Sequence, residues 1–315
     1  ISGTDQIISL AAWTGFLMII QITTVPLMRK VSRDYAVPLA FPVSLLLITL
    51  ISWYLVAAGV PAAALLLFIL IPLGYAVWKG MLTSGDIRDG KGWYLIFLGT
   101  FFLALLAKIF YDPAIDISYE KFMDSMILSS MIHTPVIPPA DAWYAGGTLS
   151  WYYYLAAWIF AVPAVLLSIP APVMYNLAIP TVFAAAAVMI HACSTQLLDR
   201  FRYLPLFLLC ISYPGFLTLI PVALEDGTRL RYILDGTVRL ILPGSVTENP
   251  LAALLIGSPR PYAVSLFIQS LILFLLIYGY LHWKGMTPAE RTGTALLLAL
   301  GTGTLIPVHS FDFLI

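Results

Sequence analysis

YDPAIDISYEKFMDSMILSSMIHTPVIPPADAWYAGGTLSWYYYLAAW, residues 111–158, sets five carboxylates (Asp112, Asp116, Glu120, Asp124 and Asp141) against one lysine, Lys121. Apolar runs flank it on both sides. Residues 93–111 carry Lys108 as their sole charge, and residues 150–198 carry none. A polar loop between apolar runs of spanning length marks a polytopic helical membrane protein.

Composition agrees with that reading. Of 315 residues, 61% are hydrophobic and 10% charged, with a mean hydropathy of +0.94. The formal net charge is zero, so no whole-chain field draws nucleic acid or an acidic partner. Cys193 and Cys210 lie inside apolar segments without metal-ligand spacing and read as small buried hydrophobes. The sequence opens at Ile1 without a recognisable targeting signal and stops inside an apolar run, and is read as part of a longer protein. No internal repeat, phosphate loop, Cys/His array or GxSxG elbow is present.

Charge-free runs at 6–28, 36–78, 150–198, 203–224, 261–283 and 292–311, together with 93–111, supply the spans. A span needs about 20 residues, so two of these runs hold two helices each. Gly59 and Pro61 divide the first, and the IPAP of residues 169–172 divides the second. The resulting expectation is an all-α transmembrane bundle of nine spans. Arg29, Lys30, Arg33, Lys79, Arg88 and Lys91 fall on one side, which the positive-inside rule makes cytoplasmic. The acidic loop, 112–149, then faces outward. The same count puts residues 225–260 on the cytoplasmic side, opposite the acidic loop, unless a half-span over 250–257 or a miscounted helix brings the two together.

Within the acidic loop, Phe122, Met126, Ile127 and Ser130 have helical spacing, which predicts a short amphipathic helix over Tyr119–Met131 lying along the membrane surface, with Ser118 as its cap. Glu120 and Asp124 then share a face, as do Asp112 and Asp116 if the turn extends backwards. Paired acids of this kind hold a divalent cation or raise one another's pKa for general-base work. A solvated acidic loop is the plainer interpretation.

Beyond that helix, Pro135, Pro138, Pro139, Gly146 and Gly147 give a tightly turned re-entry around Asp141 and Trp143, followed by Trp151, Tyr152, Tyr153 and Tyr154 at headgroup level. These aromatics read as an anchoring belt, or as the lining of a sugar or phosphate site. His191, alone on an apolar face, reads as a packed, hydrogen-bonded residue. In the later connector, Arg229, Arg231, Arg239 and Arg260 suit either phosphates or the cytoplasmic face. Residues 250–257 are too short to span and read as re-entrant. His309 and Asp312 stand three apart near a membrane boundary.

YEKFMDSMILSS followed by PPADAWYAGGTLSWYYY resembles the YYY-domain membrane proteins of archaea and Chloroflexi. Their pattern runs approximately E-K-P-M-D, then F-P-P-x-D-P-W-x-A-G-G, then Y-Y-Y. Glu120, Lys121, Met123, Asp124, Pro138, Pro139, Asp141, Trp143, Ala145, Gly146, Gly147 and Tyr152 to Tyr154 match it, while Phe122 and Ala142 replace prolines. The likeness extends to Tyr175, Asn176 and Leu177, to Glu248 and Pro250, and to Asp312 and Phe313. Where the family carries G-D-L-H-P-H this chain reads GSPRPY, keeping Gly257 and Pro261 but holding Ser258, Arg260 and Tyr262 at the ionisable positions.

The family is similar to C-type (GT-C) glycosyltransferases, which take a sugar from a polyprenyl-phosphate carrier. The resemblance implies a GT-C-like core over 93–315, preceded by transmembrane helices over 1–92, at the cell membrane. It implies Glu120 or Asp124 as the base that deprotonates the acceptor, with inversion at the anomeric carbon. A divalent cation (Mg or Mn) would be held among Asp112, Asp116, Glu120 and Asp124. Substrate contacts would come from Lys121, Asp141, Trp143, Tyr152, Tyr153, Asn176, Glu248, Arg260, Tyr262, His309 and Asp312. Two other classes stay open: a silent GT-C-like subunit among membrane-protein partner chains, suggested by the altered GSPRPY, and a transporter with broken helices.

Overall fold

A computed structural model describes residues 2–82, 88, 90–111, 113–115, 121–149, 153–211 and 257–309. Ten α-helices appear among them: α1 Gly3–Met28, α2 Ala36–Ala57, α3 Leu65–Trp78, α4 Lys91–Tyr111, α5 Lys121–His133, α6 Leu155–Leu167, α7 Ala171–Leu197, α8 Leu204–Ile211, α9 Pro261–His282 and α10 Pro288–Val308. Five of the described helices, α1, α2, α4, α7 and α9, are long and apolar enough to cross a membrane. Both expected breaks occur. The α2 helix stops before Gly59, which adopts φ 78°, and α6 stops at Ser168, whose left-handed φ of 54° ends the helix before Pro170 opens the next.

The centre is α7, whose run Phe183–Ala187 is buried and small enough for close packing on both α4 and α9. Indole N–H groups tie the layers. Trp13 donates to Thr181 Oγ1 at 2.9 Å, and Trp158 donates to Ser52 Oγ at 3.0 Å. Buried indoles need such acceptors because hydrocarbon offers none.

Contacts near the helix ends give the direction of each element. Phe41 stacks on Phe97 at 4.2 Å, each near the start of its helix, so α2 and α4 run parallel. Gln21, late in α1, donates to Val37 O, early in α2, so α1 runs the other way. Arg29 donates to Met81 O, just past the end of α3. Arg29, Lys30, Lys79 and Lys91 therefore share a basic end, and the starts of α1, α3 and α7 and the finishes of α2 and α4 share the acidic-loop end. Asn176 of α7 donates to Pro113 O, just beyond α4.

Against that frame α6 is a short apolar helix, set apart from the five of spanning length. Tyr154, its N-cap, stacks on Trp53 in the last turns of α2 at 4.9 Å, and Leu167 is followed closely by Ala171, the start of α7. Both ends of α6 thus lie at the acidic-loop end. Its 13 residues extend about 20 Å. At the described end of the 225–260 connector, Ser258 and Arg260 pack beside Asp124 of the acidic loop. Most of that connector, including the re-entrant piece, lies outside the described residues.

The amphipathic helix exists but presents a different face. It buries Lys121, Asp124, Ile127, Leu128 and Met131 against α6 and α7, while Phe122 is exposed. Ser118, the expected cap, lies outside the described residues.

Candidate functional site

Asp124 is the buried carboxylate of the described residues, at 5% exposure. Helix α5 turns it inward, and the segment that opens α9 meets it. Ser258 Oγ donates to Asp124 Oδ2, and Arg260 Nε stands 3.6 Å from the same oxygen. Arg260 is the N-cap of α9, with extended backbone (ψ 148°), which aims its side chain along the bundle end. A carboxylate in this setting is stable as an anion only when hydrogen bonds and a cation replace water. Serine supplies the first and arginine the second.

Two lysines complete the wall. Lys121, three residues before Asp124 on the same helix face, is fully buried and donates from Nζ to Ala114 O at 3.2 Å. Lys108, the one charge of the α4 run, is also fully buried, with Nζ 5.4 Å from the ring centre of Tyr175. That ring face attracts the ammonium. Gly257 makes the approach possible: its φ is +65°, and a Cβ there would overlap Nζ, Cε and Cδ of Lys108. The 257–260 segment thus touches both the α4 cation and the α5 anion.

A second group lies at the same end. The His309 ring, at the C-cap of α10, is 5.4 Å from that of Tyr153 and 6.4 Å from that of Tyr262, two residues beyond Arg260. Asn176 donates to Pro113 O at 3.4 Å and to Pro172 O at 3.2 Å. The structure therefore gathers Asp124, Lys121, Arg260, Tyr262, Tyr153, His309 and Asn176 at one end of the bundle.

Asp141 and Trp143 lie in the turn that follows α5. Asp141 Oδ1 accepts from Trp143 N at 2.8 Å, and Asp141 N donates to Gly147 O at 2.9 Å. This closes a turn whose base is tied to α5 by Ser130 Oγ donating to Ala140 O. Trp143 is 60% exposed and meets the outer face of α5 through Phe122. Asp112, Asp116, Glu120, Tyr152, Glu248 and Asp312 lie outside the described residues. No group of three or more His, Cys, Asp or Glu side chains forms among those described.

Sequence reasoning passed over two members. Lys108 was visible as a lone charge in a spanning run, which is a functional signal in itself. Ser258 looked only like a lost acid, and its role emerges once α9 is seen to start beside Asp124. His191 is packed as expected, with Nδ1 3.2 Å from Arg202 O and its ring stacked on Tyr203 at 4.6 Å.

No curated protein and no solved structure matches the chain. The family described as “Uncharacterized membrane protein (DUF2298)” matches residues 47–315, from within α2 onward, and the chain belongs to that family.

Proposed function

We propose that the protein is an integral-membrane glycosyltransferase of C-type architecture, moving a sugar from a polyprenyl-phosphate-linked donor to an acceptor at the extracytoplasmic face. The observation that carries the reading is a buried Asp124 clasped by Ser258 and Arg260, with Lys121 and Lys108 in the same wall. Such a carboxylate can take the acceptor proton as the acceptor oxygen bonds the anomeric carbon and the carbon–oxygen bond to phosphate breaks, giving inversion. Cations fixed nearby offset the charge that grows on the departing phosphate. Glu120 shares the catalytic role in this proposal.

Among the described helices, the proposed topology crosses at α1, α2, α4, α7, α9 and α10 and at residues 62–78, which carry α3. With α6 not crossing, the acidic loop and the start of α9 stand on one side, and the basic end is cytoplasmic. The GT-C-like core runs over 93–315 in this scheme. Divalent Mg or Mn belongs to the proposal through Asp112, Asp116 and Glu120. Asp124, facing a guanidinium, is a poor metal ligand, so no step is derived through a metal.

The test is sugar transfer from radiolabelled polyprenyl-phosphate donors in proteoliposomes. Loss of transfer in Asp124→Asn with folding retained is expected. Full transfer in that variant would remove Asp124 from the chemistry. The same clasp favours a second reading, a silent subunit in which Asp124 only pins α5 to α9. Absence of transfer from every donor, with a stably co-purifying partner chain, would decide for it.

A further inference from the structure

Two described residues other than glycine adopt a left-handed backbone, Ser168 and Phe201, and only Phe201, at φ 57°, carries a bulky side chain. That region suits glycine and strains a residue with a Cβ, so a phenylalanine held there needs a compensating contact. The protein supplies little of one, since Phe201 is 79% exposed. The turn around it, residues 198–203 between α7 and α8, is nonetheless braced. His191 Nδ1 donates to Arg202 O at 3.2 Å, and the His191 ring stacks on Tyr203 at 4.6 Å. Leu204 N donates to Phe201 O at 2.8 Å, and Arg202 Nε to Leu198 O at 3.0 Å. These bonds fix the backbone on both sides of Phe201 and leave its ring projecting outward.

The His191 ring also meets Trp93, near the start of α4, which puts the turn at the basic end of the bundle. Leu197, Tyr203, Leu204 and Phe207 extend its apolar surface, all of them exposed. Arg200 and Arg202 flank Phe201 and are exposed too, with Asp199 the acid of the turn. Water alone leaves this apolar patch uncovered, and hydrocarbon alone strands the arginines. The boundary between acyl chains and phosphates suits both. Two aromatic and basic pairs mark that level at the same end. Lys79 Nζ stands 4.3 Å from the ring centre of Trp78, and Arg291 Cζ 5.6 Å from that of Trp283.

We propose that the 199–203 turn is a lipid-binding wedge, seating Phe201 among the acyl chains of the leaflet at the basic end while Arg200 and Arg202 hold the headgroup of an anionic phospholipid. Covering the ring offsets the backbone strain, and the braced backbone keeps the ring pointed at the membrane. With Asp199 set against the two arginines, the turn carries one net positive charge. It should therefore favour an anionic over a zwitterionic lipid about fivefold, equivalent to about 1 kcal/mol for one cation at the surface. The wedge needs no substrate and stands apart from the transferase reading.

The test places the photoreactive residue p-benzoylphenylalanine at position 201 of the full chain, in nanodiscs made of equal parts phosphatidylglycerol and phosphatidylcholine. Irradiation should give lipid adducts, with phosphatidylglycerol favoured about fivefold. The same residue at position 67, on the exposed face of α3, should show no preference. Arg200→Gln cancels the net charge of the turn and should bring the two yields level, whereas Asp199→Asn should raise the preference about fivefold again. Both side chains are exposed, so neither change threatens folding, and either alone keeps the test valid. Equal yields on the two lipids in the parent, indifference to both charge variants, or no lipid adduct at all would overturn the proposal. Adducts to a second polypeptide in place of lipid, when the same chain is irradiated in native membranes, would overturn it in favour of a protein partner.

Discussion

Replacing Gly257 by alanine tests how tightly the start of α9 is bound into the site. The residue adopts φ +65°, and its missing Cβ leaves the space that Lys108 fills. A side chain in the left-handed region costs about 1–2 kcal/mol, and overpacking an enclosed site about 1–3 kcal/mol, so Gly257→Ala should lose about 2–5 kcal/mol. A flexible lysine at the surface would swing aside. Lys108 is fully buried with its ammonium over Tyr175, so retreat would break that contact or push the segment bearing Ser258 and Arg260 away from Asp124. The assay is unfolding of the full chain in one fixed detergent, run as a double-mutant cycle with Lys108→Ala, which deletes the overlapping atoms. Coupling of about 1–3 kcal/mol is expected, the overpacking share alone. A Gly257→Ala protein as stable as the parent refutes the whole account. An equal loss in the Lys108→Ala background refutes the contact and leaves only the backbone term.

Removing one partner of the clasp should cost more than removing both. Asp124→Asn leaves Arg260 beside a neutral amide and should destabilise by about 3–5 kcal/mol, whereas Asp124→Leu with Arg260→Met should recover most of that loss in the same unfolding assay. In a cysteine-free background, an impermeant thiol reagent should label Ser168→Cys, just past α6, from the same side as Trp143→Cys and from the opposite side to Lys284→Cys. Labelling of Ser168→Cys together with Lys284→Cys would mean that α6 crosses after all.

Apolar run length and helix breakers were legible in the sequence because they act locally. Gly59 and Pro61 end α2 and open the 3₁₀ turn that leads into α3 wherever the rest of the chain goes, and the IPAP divides α6 from α7. The face of α5 was not legible by this means. Its inward positions include Lys121 and Asp124, which a hydrophobic pattern assigns to solvent, and their burial depends on Ala114, Ser258 and Arg260. The partners that matter most come 134 residues later than Asp124, so no local window contains both halves of the charge balance.

What covers α6 was not legible for the same reason. Residues 155–167 are as apolar as a crossing segment, since α6 buries every position from Leu155 to Ala164, yet what covers them is protein. Trp53 and Ser52 of α2, Phe160 against Trp13, and the packing of α5 and α10 surround the helix. Hydropathy measures removal from water and cannot distinguish lipid from a neighbouring helix as the reason for it. The YYY stretch and the IPAP supply the missing distinction. In the proposed topology this run, opened beside Trp53 and closed by the Pro170 restart, begins and finishes at one surface. With the GSPRPY segment beside the acidic helix, the site becomes one structure: an anion from α5, its serine and arginine from the segment that opens α9, and a cation from within α4.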